Sequence, residues 1–181
     1  MTRVGFQGVP GAYSEQAIHQ CFGREVESVP FNTFEEIFFG VENGDIDYGM
    51  LPVENAVAGS VTQAYELLTE HDLRVYAEVI LRVRHMLQAP AGTSLDDVQV
   101  VRSHPQALAQ CHRYLDRHNL KAEPAFDTAG SARALAADPE PHVAAIASEL
   151  AAEMYELQIV DRDIEDYPFN YTLLLRLFLP F

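Results

Sequence analysis

Positive charge is what this sequence has least of. Among 181 residues there are 12 Lys and Arg against 27 Asp and Glu, a formal net charge of −15, and the only lysine is Lys121. Nucleic acid is excluded as a partner, because a phosphate backbone needs Lys and Arg gathered on one face. An anionic membrane surface is excluded on the same ground. An anionic small molecule stays possible, provided a locally positive site overcomes the global field. Cysteine is nearly as scarce. Cys21 and Cys111 stand far apart and outside any Cys-x-x-Cys spacing, so neither a disulfide framework nor a zinc site is expected, and a reducing compartment suits them. No apolar run approaches the roughly 20 residues of a membrane span, and no basic segment leads into an apolar one at the start. The expected address is cytoplasmic.

Several catalytic signatures are missing too. The segment Gly5-Phe6-Gln7-Gly8-Val9-Pro10-Gly11 follows a strand pattern but lacks the Gly-x-Gly-x-x-Gly spacing, and no Gly-Lys-Ser/Thr occurs. No Gly-x-Ser-x-Gly elbow is present. Of the seven histidines, no two stand four apart with a carboxylate between, as a zinc protease requires. No cofactor and no metal are expected.

What is present is an alternation of strand and helix patterns. Residues 3–6 read as a short buried strand, with a turn at 7–11 and a helix opening near Ser14. Thr33 and Glu36 form a capping box that opens a helix closed by Asn43-Gly44. A strand at 48–52 and a helix over 60–70 follow. From 75 to 87 apolar residues recur at alternate positions, which predicts one long strand. The second half repeats the scheme. Strands fall at 98–101, 122–126 and 143–147, and helices run from Pro105 to about 118, over 131–137 and over 148–157. A final strand covers 171–179. Such alternation predicts mainly parallel α/β sheets. With no linker between the halves, the two long strands are where the chain crosses between lobes. The expectation is a second lobe, 78–169, inserted in a first, 1–77 plus 170–181, with a cleft between.

In sheets of this kind, ligands bind where strands end and helices begin. Four loops qualify: 52–60, with Asn55, Gly59 and Ser60; 103–107, with Ser103, His104 and Gln106; 127–132, with Thr128 and Ser131; and 147–149, with Ser148. Each puts a hydroxyl or amide where free backbone N–H groups favour an anion. For any one loop, simple helix capping explains the residue as well. Several such loops together point to a carboxylate-binding cleft. His104, beside a proline turn, reads as structural.

These segments, taken in order, resemble the catalytic domain of the prephenate dehydratase family. The likeness runs from Gly5-Phe6-Gln7-Gly8 and Gly11-Ala12-Tyr13-Ser14 to Asn170-Tyr171-Thr172, nearly the whole chain. The family's Pro-x-Glu-Asn-Ser is similar to 52–56, its Ser-His-Pro-Gln-Ala-Leu-x-Gln-Cys to 103–111, its Asp-Thr-Ala-Gly-Ser-Ala to 127–132 and its Ala-Ile-Ala-Ser to 145–148. The resemblance implies a fold like the type II periplasmic binding proteins. It implies decarboxylating dehydration of prephenate to phenylpyruvate in phenylalanine biosynthesis, with the aminated analogue arogenate as a second candidate substrate. It makes Thr172 the acid that helps the ring hydroxyl leave. It gives substrate contacts to Asn55, Ser103, Gln106, Thr128, Ala129, Ser148 and Asn170. It also implies a homodimer.

The family pattern is departed from at two places. Ala56 replaces a serine, and Leu173-Leu174 stand where the family follows its threonine with Arg-Phe, the arginine being an expected carboxylate partner. Arg176 shares the face of Thr172, opposes that of Leu173, and lies about 13 Å along a strand at ~3.3 Å per residue, too far for simple replacement. Arg82, Arg84 and Arg102 are the other candidates. The 181 residues hold no counterpart of the family's usual C-terminal ACT domain or of a chorismate mutase segment. The loss at 173 also motivates an alternative function, a non-catalytic domain that binds or senses small carboxylates.

Overall fold

The computed structural model describes residues 1–180, which divide into two compact units. The first comprises 1–9, 13–82 and 171–180, and the second 10–12 and 83–170.

In the first unit, β1 (Arg3–Gln7) leads to α1 (Tyr13–Phe22), β2 (Glu27–Phe31), α2 (Phe34–Glu42), β3 (Tyr48–Asn55), the short β4 (Gly59–Ser60), α3 (Thr62–Glu70) and β5 (Arg74–Arg82). The Thr33 capping box opens α2 as expected: the hydroxyl accepts from Glu36 N at 3.2 Å, and the Glu36 carboxylate accepts from Thr33 N at 3.2 Å. Two glycines are required by close approach. A Cβ on Gly49 would meet Ile37 Cγ2 at 2.6 Å, and one on Gly5 would meet Ile46 Cδ1 at 2.4 Å, so β1 and β3 let α2 and its exit loop lie directly on the sheet.

The second unit holds β6 (Met86–Ala89), β7 (Val100–Ser103), α4 (Pro105–Gln110), α5 (His112–Arg117), β8 (Lys121–Pro124), α6 (Thr128–Ala137), β9 (Val143–Ala147), α7 (Glu149–Met154) and β10 (Gln158–Asp161). The chain then returns to the first unit as β11 (Tyr171–Phe178).

The sheet order in the first unit is β2-β1-β3-β11-β5, with β4 on β3. Strands β1, β2 and β3 pair in parallel, whereas β11 is antiparallel to both β3 and β5. In the second unit the order is β10-β6-β9-β7-β8, with β6 antiparallel to its neighbours and β7 parallel to β8 and β9. Both sheets are therefore mixed, not mainly parallel. The reason lies in the crossings: β5 leaves the first unit and β11 re-enters it, and each pairs with a strand of opposite direction.

Two expected elements are each broken in two. The single strand over 75–87 is two strands in two different sheets, β5 and β6, separated by 83–85. Burial alternates towards the end of β5, whereas all four residues of β6 are buried. The first crossing accordingly falls after Arg82, beyond the expected 77–78. The helix over 105–118 is interrupted at Cys111, whose backbone at φ −113° and ψ 15° is not helical. Strands β2 and β10 have no counterpart in the sequence reading.

The apolar interior of the first unit gathers Phe34, Ile37, Phe38, Leu51, Leu67, Leu175 and Leu177 between α2, α3 and the sheet. That of the second gathers Leu87, Val101, Leu108, Cys111, Leu115 and Ile146 between α4, α5 and the sheet.

The Thr33 cap gives a direct check on this local reasoning. Thr33→Ala should lower unfolding free energy by about 1 kcal/mol, read as a shifted urea midpoint at unchanged slope.

Candidate active site

Two residues far apart in sequence meet at one end of the first unit's sheet. Asn55 ends β3, and Thr172 pairs with it across the β3–β11 ladder. Pro52 has no N–H to give to that ladder, and the register shifts there: Leu173 pairs with Glu54 but Leu174 with Pro52, so Val53 bulges out. Its carbonyl accepts instead from Val61 N, 2.9 Å away.

The Asn55 amide is oriented by its own turn. Its Oδ1 accepts from Val57 N at 3.0 Å and Ala58 N at 2.8 Å, an Asx-type arrangement. With the oxygen thus committed, Nδ2 points the other way and donates to Thr172 Oγ1 at 2.9 Å and to Tyr171 O at 3.3 Å. Thr172 Oγ1 is therefore an acceptor towards Asn55, and its own proton remains for a third group. Asn55 is buried and Thr172 half-buried. A hydroxyl whose lone pair is held by an amide N–H is a better donor than a free one, because hydrogen bonds in a chain polarise one another.

The second unit sorts its predicted residues differently. Ser103, at the end of β7, is fully buried, and its hydroxyl donates to Ile146 O at 2.7 Å. Ser148 is fully buried as well. Its Oγ accepts from Ala151 N at 3.0 Å, capping α7, and donates to Gly11 O at 2.6 Å. Gly11 has φ +89°, and a Cβ there would lie 2.9 Å from Ala151 Cα, so only glycine fits. Asn170, 1% exposed, donates to Gln110 Oε1 at 2.8 Å, and its carbonyl accepts from Val83 N at 2.7 Å. These three side chains hold the unit together. Gln106 is exposed at the start of α4, where His104 Nδ1 accepts from its N–H at 3.2 Å, so His104 is a cap. Thr128, half-buried, begins α6 beside Asp127, whose carboxylate caps Gly130 N. Ala129 is buried and can offer a ligand only its backbone.

Sequence reasoning missed two features here. His85 Nε2 and Asn170 Nδ2 share the acceptor Gln110 Oε1, the former also at 2.8 Å, which joins the points where the chain enters and leaves the unit. Gln88 Nε2 donates to Ser148 O at 2.6 Å, while its buried Oε1 has no hydrogen bond. A polar residue at the parity of the apolar alternation over 75–87 was the available signal for His85; Gln88, at the opposite parity, gave none.

The candidate arginines are not equivalent. Arg84 grips Asp163 through Nε and Nη2, both at 2.5 Å. Arg102 is held by Glu123 and Glu140, and these bonds raise its pKa. Arg176 is caged, its guanidinium 3.9, 4.9 and 5.1 Å from the ring centres of Tyr76, Phe22 and Tyr48. Of these four, only Arg82, exposed at the end of β5, has no acid or ring against it among the described residues. A cavity of about 420 Å³ beside α6 has both signs of charge in its wall, Asp127, Asp138 and Glu140 with Arg102 and Arg133. No group of three or more His, Cys, Asp or Glu able to hold a metal occurs among the described residues, and no helix among them is long and apolar enough to cross a membrane.

Burial gives His85 a pH signature. Desolvation outweighs its bond to Gln110 and the nearby Glu165, and lowers its pKa below the ordinary 6.5. Unfolding then takes up a proton, so this stability is complete at high pH and is lost as pH falls below about 6.5. Urea midpoints followed from about pH 8 to about pH 5 should fall less steeply for His85→Gln than for the parent.

The sequence model of the prephenate dehydratase family matches residues 4–177. "Arogenate dehydratase/prephenate dehydratase 2, chloroplastic" of Arabidopsis thaliana is 44% identical over 175 residues, 97% of this chain and 46% of that relative. The chain thus spans about half the length of such relatives. Prephenate dehydratase from Arthrobacter aurescens, solved in complex with L-Phe, superposes with a TM-score of 0.92 at 30% identity, covering 99% of this chain and 61% of that one. GqqA, described as a novel type of quorum quenching acylase, superposes at 0.90 with 34% identity, covering 98% and 64%. The methionine-binding protein MetQ, at 15% identity, 0.51, and coverage of 98% and 82%, shares the fold alone. Motif order, fold and these comparisons agree: the chain belongs to the prephenate dehydratase family.

Proposed function

We propose that this chain catalyses the decarboxylating dehydration of prephenate to phenylpyruvate, with arogenate as the second candidate substrate. The observation that carries the reading is the Asn55–Thr172 pair, in which the threonine hydroxyl accepts from the Asn55 amide and keeps its own proton to give to a ligand.

The chemistry asks for little more. Prephenate carries a ring carboxylate, a pyruvyl carboxylate and a ring hydroxyl. The bond to the ring carboxylate breaks and releases CO2, its electron pair enters the ring, and the carbon–oxygen bond breaks as the ring becomes aromatic. The hydroxide leaves as water once it gains a proton. Aromatisation supplies the driving force, so no electron sink is needed. A threonine hydroxyl has no useful acidity near neutral pH, so Thr172 acts chiefly as a preorganised hydrogen-bond donor to the departing oxygen. Asn55 is its positioning residue. In the same reading Gln106, Thr128 and the backbone of Ala129 contact carboxylate, while Ser103, Ser148 and Asn170 act by holding the loops that carry them.

Two coarser expectations belong to this reading. A homodimer is carried over from the family and is checked by light scattering. A reducing location such as the cytoplasm suits Cys21 and the buried Cys111, both free thiols. Among the relatives, the Arabidopsis protein is chloroplastic by name.

A second reading, a non-catalytic carboxylate-binding domain, rests on Leu173. One assay separates the two. Protein is incubated with prephenate at neutral pH, and phenylpyruvate is followed by its absorbance in alkali. Clear turnover is expected; a rate equal to that of buffer alone would leave the binding reading. Thr172→Ala should lower kcat about 10²–10³-fold, as loss of one preorganised donor does, with little change in unfolding midpoint. Asn55→Ala should cost kcat about tenfold through loss of its hydrogen bond.

A further inference from the structure

The first unit contains five arginines: Arg3, Arg24, Arg74, Arg82 and Arg176. Four are engaged. Arg3 pairs with Glu27 and reaches Asp45 O, Arg74 stands 3.8 Å from Asp72, Arg176 sits in its aromatic cage, and Arg24 has a partner of its own. Arg82 is the exception: among the described residues nothing bonds its guanidinium, and it is exposed.

Its place in the ladder gives that freedom a meaning. Arg82 is the last residue of β5 and pairs with Tyr171, one rung from the pairing of Leu81 with Thr172. At ~4.8 Å between strands and ~3.3 Å per residue, the Cα atoms of Arg82 and Thr172 are about 6 Å apart. Paired residues share a face, so Arg82, Tyr171, Leu173 and Ile80 lie on one side and Thr172 on the other. Arg82 and Leu173 are diagonal neighbours there, a separation that long side chains bridge. This part of the face is open: Ile80 is 61% and Tyr171 41% exposed. Arg82 also ends its strand, so no further rung confines its side chain to that face.

A dianion bound to a chain of net charge −15 is favoured by a formal cation that no acid has neutralised. We infer that Arg82 is a carboxylate-binding residue of the substrate site and supplies from β5 the guanidinium that position 173 of β11 does not. The inference rests on the dehydratase reading, since it takes the substrate from there. A guanidinium presents a fork of N–H donors to a carboxylate, which a lysine cannot reproduce.

The test uses the whole chain and reads binding as well as turnover. Calorimetric titration with prephenate is done on protein carrying Thr172→Ala, so that ligand is not consumed, with and without Arg82→Ala. Loss of Arg82 should weaken binding about tenfold or more, as loss of a charge-assisted hydrogen bond does. In otherwise native protein, Arg82→Ala should raise KM by a similar factor while kcat changes much less. Arg82→Lys should recover only part of the loss. Adding Leu173→Arg to Arg82→Ala should restore most of it, because the guanidinium then rises from the neighbouring strand onto the same face. Unchanged prephenate binding in Arg82→Ala overturns the inference, as does failure of Leu173→Arg to improve the Arg82→Ala protein. If native protein binds prephenate through Arg82 without turning it over, the inference stands and the catalytic reading falls. If prephenate does not bind the parent at all, both fall.

Discussion

Strand β11 is the constraint on which the arrangement depends. It enters the first unit from Asn170, inserts between β3 and β5, and pairs antiparallel with both. Three consequences follow from that one placement. Leu175 and Leu177 complete the apolar layer under α2 and α3. Thr172 comes to lie opposite Asn55, a residue more than a hundred positions earlier in the chain. Arg82 comes to lie opposite Tyr171. The last segment of the sequence thus completes a core and brings together the positions proposed for the site.

The irregularities in that ladder are as informative as its regular rungs. Pro52 cannot donate, so the β3 register slips and Val53 bulges. The slip leaves Asn55 paired with Thr172, and the turn after it folds back on the Asn55 side chain. On the other side the register shifts at Tyr76, whose ring then lies over Arg176. That cage engages Arg176, on the same face as Thr172, as an internal cation of the first unit.

How much of this was legible beforehand depends on whether a feature is local. Capping at Thr33, the strand at 143–147 and the helix after Ser148 could be read because their signals lie within a few residues. The order of strands could not. Apolar alternation runs through 75–87 with only His85 out of pattern, yet β5 and β6 belong to different sheets, and a period of two does not show that a strand has changed partners. The motifs singled out residues but not how each is bonded in the fold. Ser103, Ser148 and Asn170 occur in motifs as prominently as Asn55, yet their polar atoms are consumed inside the fold. Arg82 carried no motif at all, and its interest comes from a pairing register that sequence does not display.

The scarcity of positive charge also takes on a physical form. Several of the twelve basic side chains are neutralised locally, Arg102 by two glutamates and Arg84 by Asp163, and so contribute little field to a ligand. At Asn55 polarity is passed along in a single direction: two backbone N–H groups donate to its oxygen, its nitrogen donates to Thr172, and the threonine proton is the last link. Every bond in that relay has the same sense, so its free end is the positive pole of a short chain of aligned dipoles. An acidic protein can thereby present an electropositive point without a formal charge, and without a group that titrates away as the pH changes.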